Sequence, residues 1–303
     1  MIVLIVGLPT FTQKISKDLN QLDKSNKYIA LNTYYSWKDK LLFLILLPFS
    51  KIVISFNGVT DNSPVLNWTI RFNKKLIMQW MGTDALLGIK RFKEKNILRK
   101  YIDYATHFVD SSWQESEVRS LMLEPNFVRF KYGRNIRPLE RYNDIHILSY
   151  VAKDKQEFYG LNKIIRAAEK FPSIEFRIAG LISCNYKIPE NVKLIGWLKA
   201  EDMDRELKSA AIFLRMTDHD GFSVTVIEAI SIGAEVIWTH DAKGVNYVQS
   251  IEEMNIAIDK AIQDIKNRDL KPNQNTIDFA DKYYNKQELL KNYIRELNKV
   301  VNK

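Results

Sequence analysis

One cysteine, Cys184, stands in 303 residues. No intramolecular disulfide framework and no multi-cysteine metal site can form, which fits a reducing compartment. Long apolar runs are also missing. The greasiest stretch, residues 41–49 (LLFLILLPF), is about half of the ~18 residues that a membrane-spanning helix needs. The opening MIVLIVG has no basic leader and no small-residue cleavage site, so a buried first strand is expected there rather than a signal peptide. G-x-x-x-x-G-K-[ST] does not occur. Gly7-Leu8-Pro9-Thr10 follows the first apolar run where a dinucleotide enzyme would carry G-x-G-x-x-G. A P-loop ATPase and a plain dinucleotide enzyme are therefore disfavoured.

The remaining composition is that of a folded chain, with 46% hydrophobic and 27% charged residues. The length suggests about two domains. The net charge of +9 lies wholly in the first half. Residues 1–140 hold 21 basic and 12 acidic side chains, and the rest of the chain holds 24 of each. Such asymmetry points to an anionic partner for the first half.

Short apolar runs alternate with longer amphipathic stretches, which predicts a parallel sheet with crossover helices. In the first half strands are expected at 2–6, 27–31, 51–56, 75–79 and 107–109, with helices at 14–22, 37–47, 85–104 and 113–122. The rhythm breaks near Pro138 and restarts with a strand at 145–151. A long amphipathic helix over 276–301 closes the chain, with Leu290, Tyr293, Ile294, Leu297 and Val301 on one face. Two open α/β units are expected, with ligands at the carboxyl ends of their strands and a cleft where the units face each other.

The richest stretch runs from Phe213 to Gly233, FLRMTDHDGFSVTVIEAISIG. A strand enters a polar loop, then Gly221, then an apolar helix whose only charge is Glu228. A helix N-terminus offers free N–H groups to a phosphate. A lone carboxylate on a buried helix needs a partner. A ligand diol such as a ribose fits, and so does an internal Lys or Arg. Asp218-His219-Asp220 is also a D-x-D, a spacing at which carboxylates can hold Mg²⁺ or Mn²⁺; three residues make a weak motif, and no metal role is assigned. In the first half, Gly82-Thr83-Asp84 and Asn57-Gly58 follow buried strands, as Gly7 and Pro9 do. Asp84 either orients a ligand hydroxyl or caps a helix. His107 and His146 are expected to pack, and His240 is a weaker site candidate than His219.

Asp220 and Glu228 form an acidic-x7-acidic pair around G-F-S and ahead of E-A-x-x-x-G. This resembles the Glu-x7-Glu signature of retaining GT-B glycosyltransferases of the family 4 type, with aspartate in place of the first glutamate. Leu214-Arg-Met-Thr-Asp-His-Asp-Gly221 and Val236-Ile-Trp-Thr239 look like variants of the same pattern. The likeness covers residues 145–250 and the two-unit layout. It implies two Rossmann-like domains facing across a cleft: an acceptor domain at 1–138, a nucleotide-sugar domain at 142–272, and a helix at 275–303 returning to the first domain.

Carried over residue by residue, the resemblance puts the nucleotide ribose on Glu228 and the donor sugar near Asp220. It puts the diphosphate on the amides of Gly221, Phe222 and Ser223, with Thr217, His219, Gly7 and Pro9 beside the donor. The family's basic pair after the first strand of this domain is not intact. Lys153 and Lys155 stand nearby, and Arg215 is positioned to supply a guanidinium; each lysine also reads as a solvated surface charge. Gly82, Thr83, Asn57 and Asp84 fall on the acceptor side. The expected reaction is transfer of a sugar from a UDP- or GDP-linked donor to a glycan or lipid-linked acceptor of cell-surface polysaccharide. It would retain configuration and require no metal or other cofactor. The alternative is a non-catalytic protein of the same fold that binds a nucleotide sugar or an anionic polymer.

Arg71, Lys74, Lys75, Lys90, Arg91, Lys93, Lys95, Arg99 and Lys100 crowd the first half, with Tyr34, Tyr35, Trp37 and residues 41–49 nearby. Basic, aromatic and apolar residues together suggest an anionic membrane surface. That implies a cytoplasmic protein, peripheral at the inner face of the membrane. The competing reading makes 41–49 a core helix and the lysines a solvated face. No stacking module or helix-turn-helix supports nucleic acid.

Overall fold

The computed structural model describes residues 1–302. The chain divides into two compact units, residues 1–131 with 286–303, and residues 132–285. In the first unit the elements run β1 (Ile2–Gly7), α1 (Pro9–Leu22), β2 (Lys27–Ala30), α2 (Trp37–Leu46), β3 (Ser50–Phe56), α3 (Pro64–Arg71), β4 (Lys75–Gln79), α4 (Thr83–Lys93), α5 (Arg99–Ile102), β5 (Thr106–Val109), α6 (Ser112–Arg119) and β6 (Pro125–Phe127). The sheet order is β2-β1-β3-β4-β5-β6, parallel throughout. β3 and β4 are buried almost end to end, as strands covered by helices on both faces must be.

The second unit runs β7 (His146–Tyr150), α7 (Leu161–Lys170), β8 (Glu175–Ala179), β9 (Val192–Gly196), α8 (Ala200–Ser209), β10 (Ile212–Arg215), α9 (Val224–Ser231), β11 (Glu235–Trp238), β12 (Asn246–Tyr247), α10 (Ile251–Asn267) and α11 (Gln274–Tyr283). Its order is β12-β11-β10-β7-β8-β9, again parallel. Numbered within the unit this is 3-2-1-4-5-6, the doubly wound order. The winding reverses between β7 and β10, and the crevice at their carboxyl ends is where such sheets hold ligands. In the first unit the reversal lies between β1 and β3.

Two expectations change. The helix expected over 85–104 is two, α4 and α5. Residues 93–96 (KEKN) carry no apolar residue to hold a helix face, and Lys95 adopts φ 57°. The terminal helix expected over 276–301 is also two: α11, which ends at Tyr283, and α12 (Lys286–Asn302), which packs on α1. Tyr284 turns inward there, its ring 5.6 Å from Phe222 and its hydroxyl donating to the Lys243 carbonyl. β6 and β12 are too short for alternation to reveal.

Close approaches fix the ligand-facing edge of the first sheet. Gly7 has φ 115°, and a Cβ there would lie 2.5 Å from the Phe56 carbonyl oxygen. A Cβ on Gly58 would lie 2.1 Å from the Trp80 ring. Only glycine lets the loops after β1 and β3 pack this tightly.

Candidate donor site and its counterpart in the first unit

β10 delivers Arg215 to the carboxyl edge of the second sheet, and the following loop carries Thr217, Asp218, His219 and Asp220 to the start of α9. The two acids of the acidic-x7-acidic pair both meet arginine. Arg215 Nε is 2.5 Å from Asp220 Oδ2, and its guanidinium lies over the Tyr159 ring at 5.5 Å. The guanidinium expected to serve the diphosphate is thus held by the first acid. Glu228, 2% exposed, receives Arg134. Nε donates to Oε1 at 2.8 Å, Nη2 to Oε2 at 2.9 Å, and the Arg134 backbone N–H to Oε1 at 2.9 Å. Arg134 Nη1 also reaches Asp204 at 2.6 Å. A Cβ on Gly133 would lie 2.8 Å from Glu228 Cγ, so the backbone of 133–134 wraps the carboxylate.

Local sequence pattern does not name the internal partner of Glu228, and Arg134 lies outside the candidate residues above. Ninety-four positions separate them. The local signal was a glycine before an arginine at the start of the unit. Counting lone pairs, Oε1 is filled and Oε2 has taken one bond, so one acceptor position remains for a ligand hydroxyl.

Ser223 is the N-cap of α9, its hydroxyl accepting from the Val226 N–H at 3.4 Å. Gly221 and Phe222 are buried beside it, Phe222 edge-on to Trp238 at 5.7 Å. Thr217 is buried with its hydroxyl unpartnered among the described residues. Asp218 pairs with Lys163 at 3.2 Å. Each acid of the D-x-D thus has a cation beside it. Among the described residues no three His, Cys, Asp or Glu side chains converge as metal ligands. Lys153 and Lys155 are exposed on the loop after β7, Lys155 lying 5.7 Å over the Phe158 ring. Gly160 closes that loop at φ 70°, where a Cβ would meet the Met216 carbonyl at 2.3 Å; this brings the loop against the end of β10.

His240 takes a larger part than expected. Its Nε2 accepts the Asp220 backbone N–H at 3.1 Å. Thr239 Oγ1 donates to the Thr217 carbonyl at 2.5 Å and lies 3.2 Å from His240 Nδ1. These bonds require a neutral ring with its proton on Nδ1. Burial pushes the imidazole down to about 4, with Asp220 opposing and His219 and Arg215 adding to the shift. The His240 ring resonances should therefore stay neutral in NMR down to about pH 5; a midpoint near 6.5 would contradict the arrangement.

In the first unit, Asp84 accepts backbone N–H groups from Gly58 at 2.6 Å, Met81 at 3.0 Å, Gly82 at 2.8 Å and Ala85 at 3.0 Å. Burial pushes its carboxyl up, and these amides oppose the shift. With its lone pairs taken, Asp84 organises the two loops, and the helix cap falls to Gly82. Thr83 is the exposed member of that loop. Asn57 donates to the Tyr34 hydroxyl at 3.1 Å. A cavity of 190 Å³ opens at the reversal between β1 and β3, lined by Gly7, Thr33, Tyr34, Lys40, Asn62 and Ser63 among others. Pro9 begins α1 next to it. His107 is structural, its ring accepting from Trp80 Nε1 at 3.1 Å and facing the Ile102 carbonyl at 2.8 Å. His146 pairs with Asp144 at 3.0 Å.

The basic run of the first unit is partly neutralised. Arg91 pairs with Asp61 and Arg99 with Asp103, each at 2.7 Å, and Lys90 lies 3.9 Å from Glu94. Lys75 caps the end of α12 through the Val300 and Val301 carbonyls.

The sequence and the fold are similar to those of known proteins. Residues 134–279 match the family model described as Glycosyl transferases group 1. No curated protein matches the sequence. Among solved structures, sucrose-phosphate synthase from Thermosynechococcus elongatus is similar at TM-score 0.70 and 12% identity, over 99% of both chains. The pneumococcal O-GlcNAc transferase GtfA, solved with UDP and GlcNAc, is similar at TM-score 0.60 and 14% identity, over 88% of this chain and 60% of that one. TarM of S. aureus is similar at TM-score 0.54 and 13% identity, over 88% of this chain and 58% of its own. The chain thus spans about three fifths of the latter two proteins. These likenesses establish the GT-B fold, and within it residues 134–279 are similar to the glycosyl transferases group 1 family.

Proposed function

We propose that the chain is a glycosyltransferase of the EC 2.4 class. It moves a sugar from a nucleoside-diphosphate sugar, UDP- or GDP-linked, to a glycan or lipid-linked acceptor, retaining configuration and needing no metal. The acceptor reading extends to cell-surface polysaccharide and to a peripheral position at the inner face of the membrane. The observation that carries the proposal is the caged Glu228. It is buried on α9, the helix that follows β10 at the reversal of winding, with one acceptor position left for a hydroxyl. A ribose there directs the diphosphate to the N-terminus of α9 and the amides of Gly221, Phe222 and Ser223. Lys153, Lys155 and Arg215 then stabilise the charge that develops as the nucleoside diphosphate leaves. Arg215 shares its charge with Asp220, which lies where the donor sugar would sit.

The test is turnover of a panel of UDP- and GDP-sugars, with and without EDTA. Turnover that EDTA leaves intact supports the proposal. Turnover that EDTA abolishes assigns Asp218 and Asp220 to a metal instead. Tight binding without turnover, across the panel and with acceptor glycans present, leaves a non-catalytic nucleotide-sugar binder. Absence of binding overturns the donor site.

A further inference from the structure

The helix α2 is apolar on its outside. Phe43 and the following Leu47 are fully buried and fasten it to the core of the first unit. The opposite ridge carries Trp37, Leu41 and Ile45, spaced four apart and therefore in line along the helix. All three are exposed, as are Leu42 and, in the turn after the helix, Phe49. Trp37 is 70% exposed and Phe49 71%; Tyr35, just before the helix, is 84% exposed. α3 packs beside α2 and adds the exposed Trp68 and Phe72. The sequence alternative that residues 41–49 form a core helix does not hold for this face.

Charge surrounds the ridge. Residues 34–51 and 64–74 contain five basic side chains, Lys38, Lys40, Lys51, Arg71 and Lys74, and one acid, Asp39. Lys74 Nζ donates to the Pro48 carbonyl at 2.8 Å, directly beside Phe49. The Arg71 guanidinium lies 5.6 Å over the Trp68 ring. Asp39 is turned inward, accepting the Asn32 N–H at 2.7 Å.

We infer that α2, with its flanking turns and α3, is an interfacial element that lies on an anionic lipid bilayer. The ridge enters the boundary between headgroups and acyl chains, the tyrosine and tryptophan rings rest at headgroup depth, and the lysines and arginine meet lipid phosphate. No described helix is long and apolar enough to cross a membrane, so the attachment is in the plane of the interface. A second copy is the poorer occupant, because self-pairing sets this positive rim against itself, whereas an anionic bilayer supplies the opposite sign. The element also adjoins the 190 Å³ cavity, which shares Tyr34 and Lys40 with it. A lipid-linked acceptor would thus meet the carboxyl edge of the first sheet from the bilayer surface. This deepens the acceptor reading above, while the docking itself does not depend on the donor.

The test is co-sedimentation of the full chain with vesicles of phosphatidylcholine alone and of phosphatidylcholine mixed with phosphatidylglycerol. The wild-type chain should sediment with the anionic vesicles and stay in solution with the neutral ones. The triple variant Trp37→Ser/Ile45→Ser/Phe49→Ser should lose about tenfold or more in vesicle affinity. Its thermal midpoint and its turnover of a soluble nucleotide sugar should stay as in the wild type, since all three side chains face solvent. Lys38→Gln/Arg71→Gln should lose about tenfold on anionic vesicles. Wild-type protein left in solution with both vesicle types, or a triple variant that sediments as well as the wild type, overturns the inference. Self-association abolished by the triple variant, without vesicle binding, assigns the face to a second copy and overturns it as well. Vesicle binding in a chain that turns over no nucleotide sugar leaves the docking standing and rejects the donor reading alone.

Discussion

Glu228→Ala is expected to abolish nucleotide-sugar binding in a protein that still folds, with the donor dissociation constant raised about 100-fold or more. The carboxylate has room for one ligand hydroxyl at Oε2 while Arg134 stays in place. A second hydroxyl is accepted only as the guanidinium gives way toward Asp204 and the Ala200 carbonyl, which it already reaches at 2.6 Å and 2.9 Å. A hydrogen bond to a charged acceptor contributes about 1.5–3 kcal/mol, so losing two corresponds to roughly a 10²–10⁴-fold loss in affinity. The fold loses much less. Without Glu228, Arg134 keeps its other partners and is about a third exposed, so the cost is about 1–2 kcal/mol and a few degrees in thermal midpoint. Arg134→Ala separates the roles. If Glu228 holds the ribose, that variant retains measurable donor binding in calorimetry. If Glu228 serves only as the counter-ion of Arg134, both variants lose binding and stability to the same extent, and the donor assignment fails.

The alternation of apolar runs is enough to find β1 to β5 and β7, because a strand buried on both faces must be apolar along its length. It also placed the loop from Thr217 to Gly221 between β10 and α9, where the sheet order now puts the reversal of winding. Alternation does not say which neighbour a polar group finds. Arg134 reaches Glu228 across 94 positions, and the Gly58 amide reaches Asp84 across 26, so neither bond leaves a trace in local pattern. Nor does hydrophobicity say which side a helix buries. Residues 41–47 read as greasy all round, and only the packing of Phe43 and Leu47 shows that Trp37, Leu41 and Ile45 face outward. The crowd of lysines and arginines was legible as a count. Its effective charge was not, since Asp61, Asp103 and Glu94 offset part of it.

Lys131→Met should destabilise the first unit by about 3–5 kcal/mol at pH 8. Lys131 Nζ lies 3.1 Å from Asp110 Oδ2, and the two side chains are 4% and 1% exposed. Burial already pushes the Asp110 carboxyl up, with Lys131 the main opposing influence, helped by Arg129. Without the lysine the carboxyl is left charged in a site that no longer stabilises the charge, and its pKa rises further. The unfolded chain releases that proton near 3.8. Between that value and the raised native one, the native state holds more protons than the unfolded state, so its stability falls as pH rises. The defect should therefore be smallest near pH 4–5 and complete at pH 8, as read by urea unfolding at both. Adding Asp110→Asn to Lys131→Met removes the buried charge and should recover most of the loss at pH 8. A loss of the same size at both pH values, unrelieved by the second change, would mean that Lys131 acts through its packing and not its charge. The packing is not trivial: the ammonium donates to the Met81 carbonyl at 3.3 Å and lies 5.5 Å from the Phe130 ring. Met81 belongs to the loop whose amides hold Asp84. The pair thus ties the segment after β6 to the loop that presents Thr83, and a charge-based defect should loosen that loop first, visible as early amide exchange at Gly82 and Ala85.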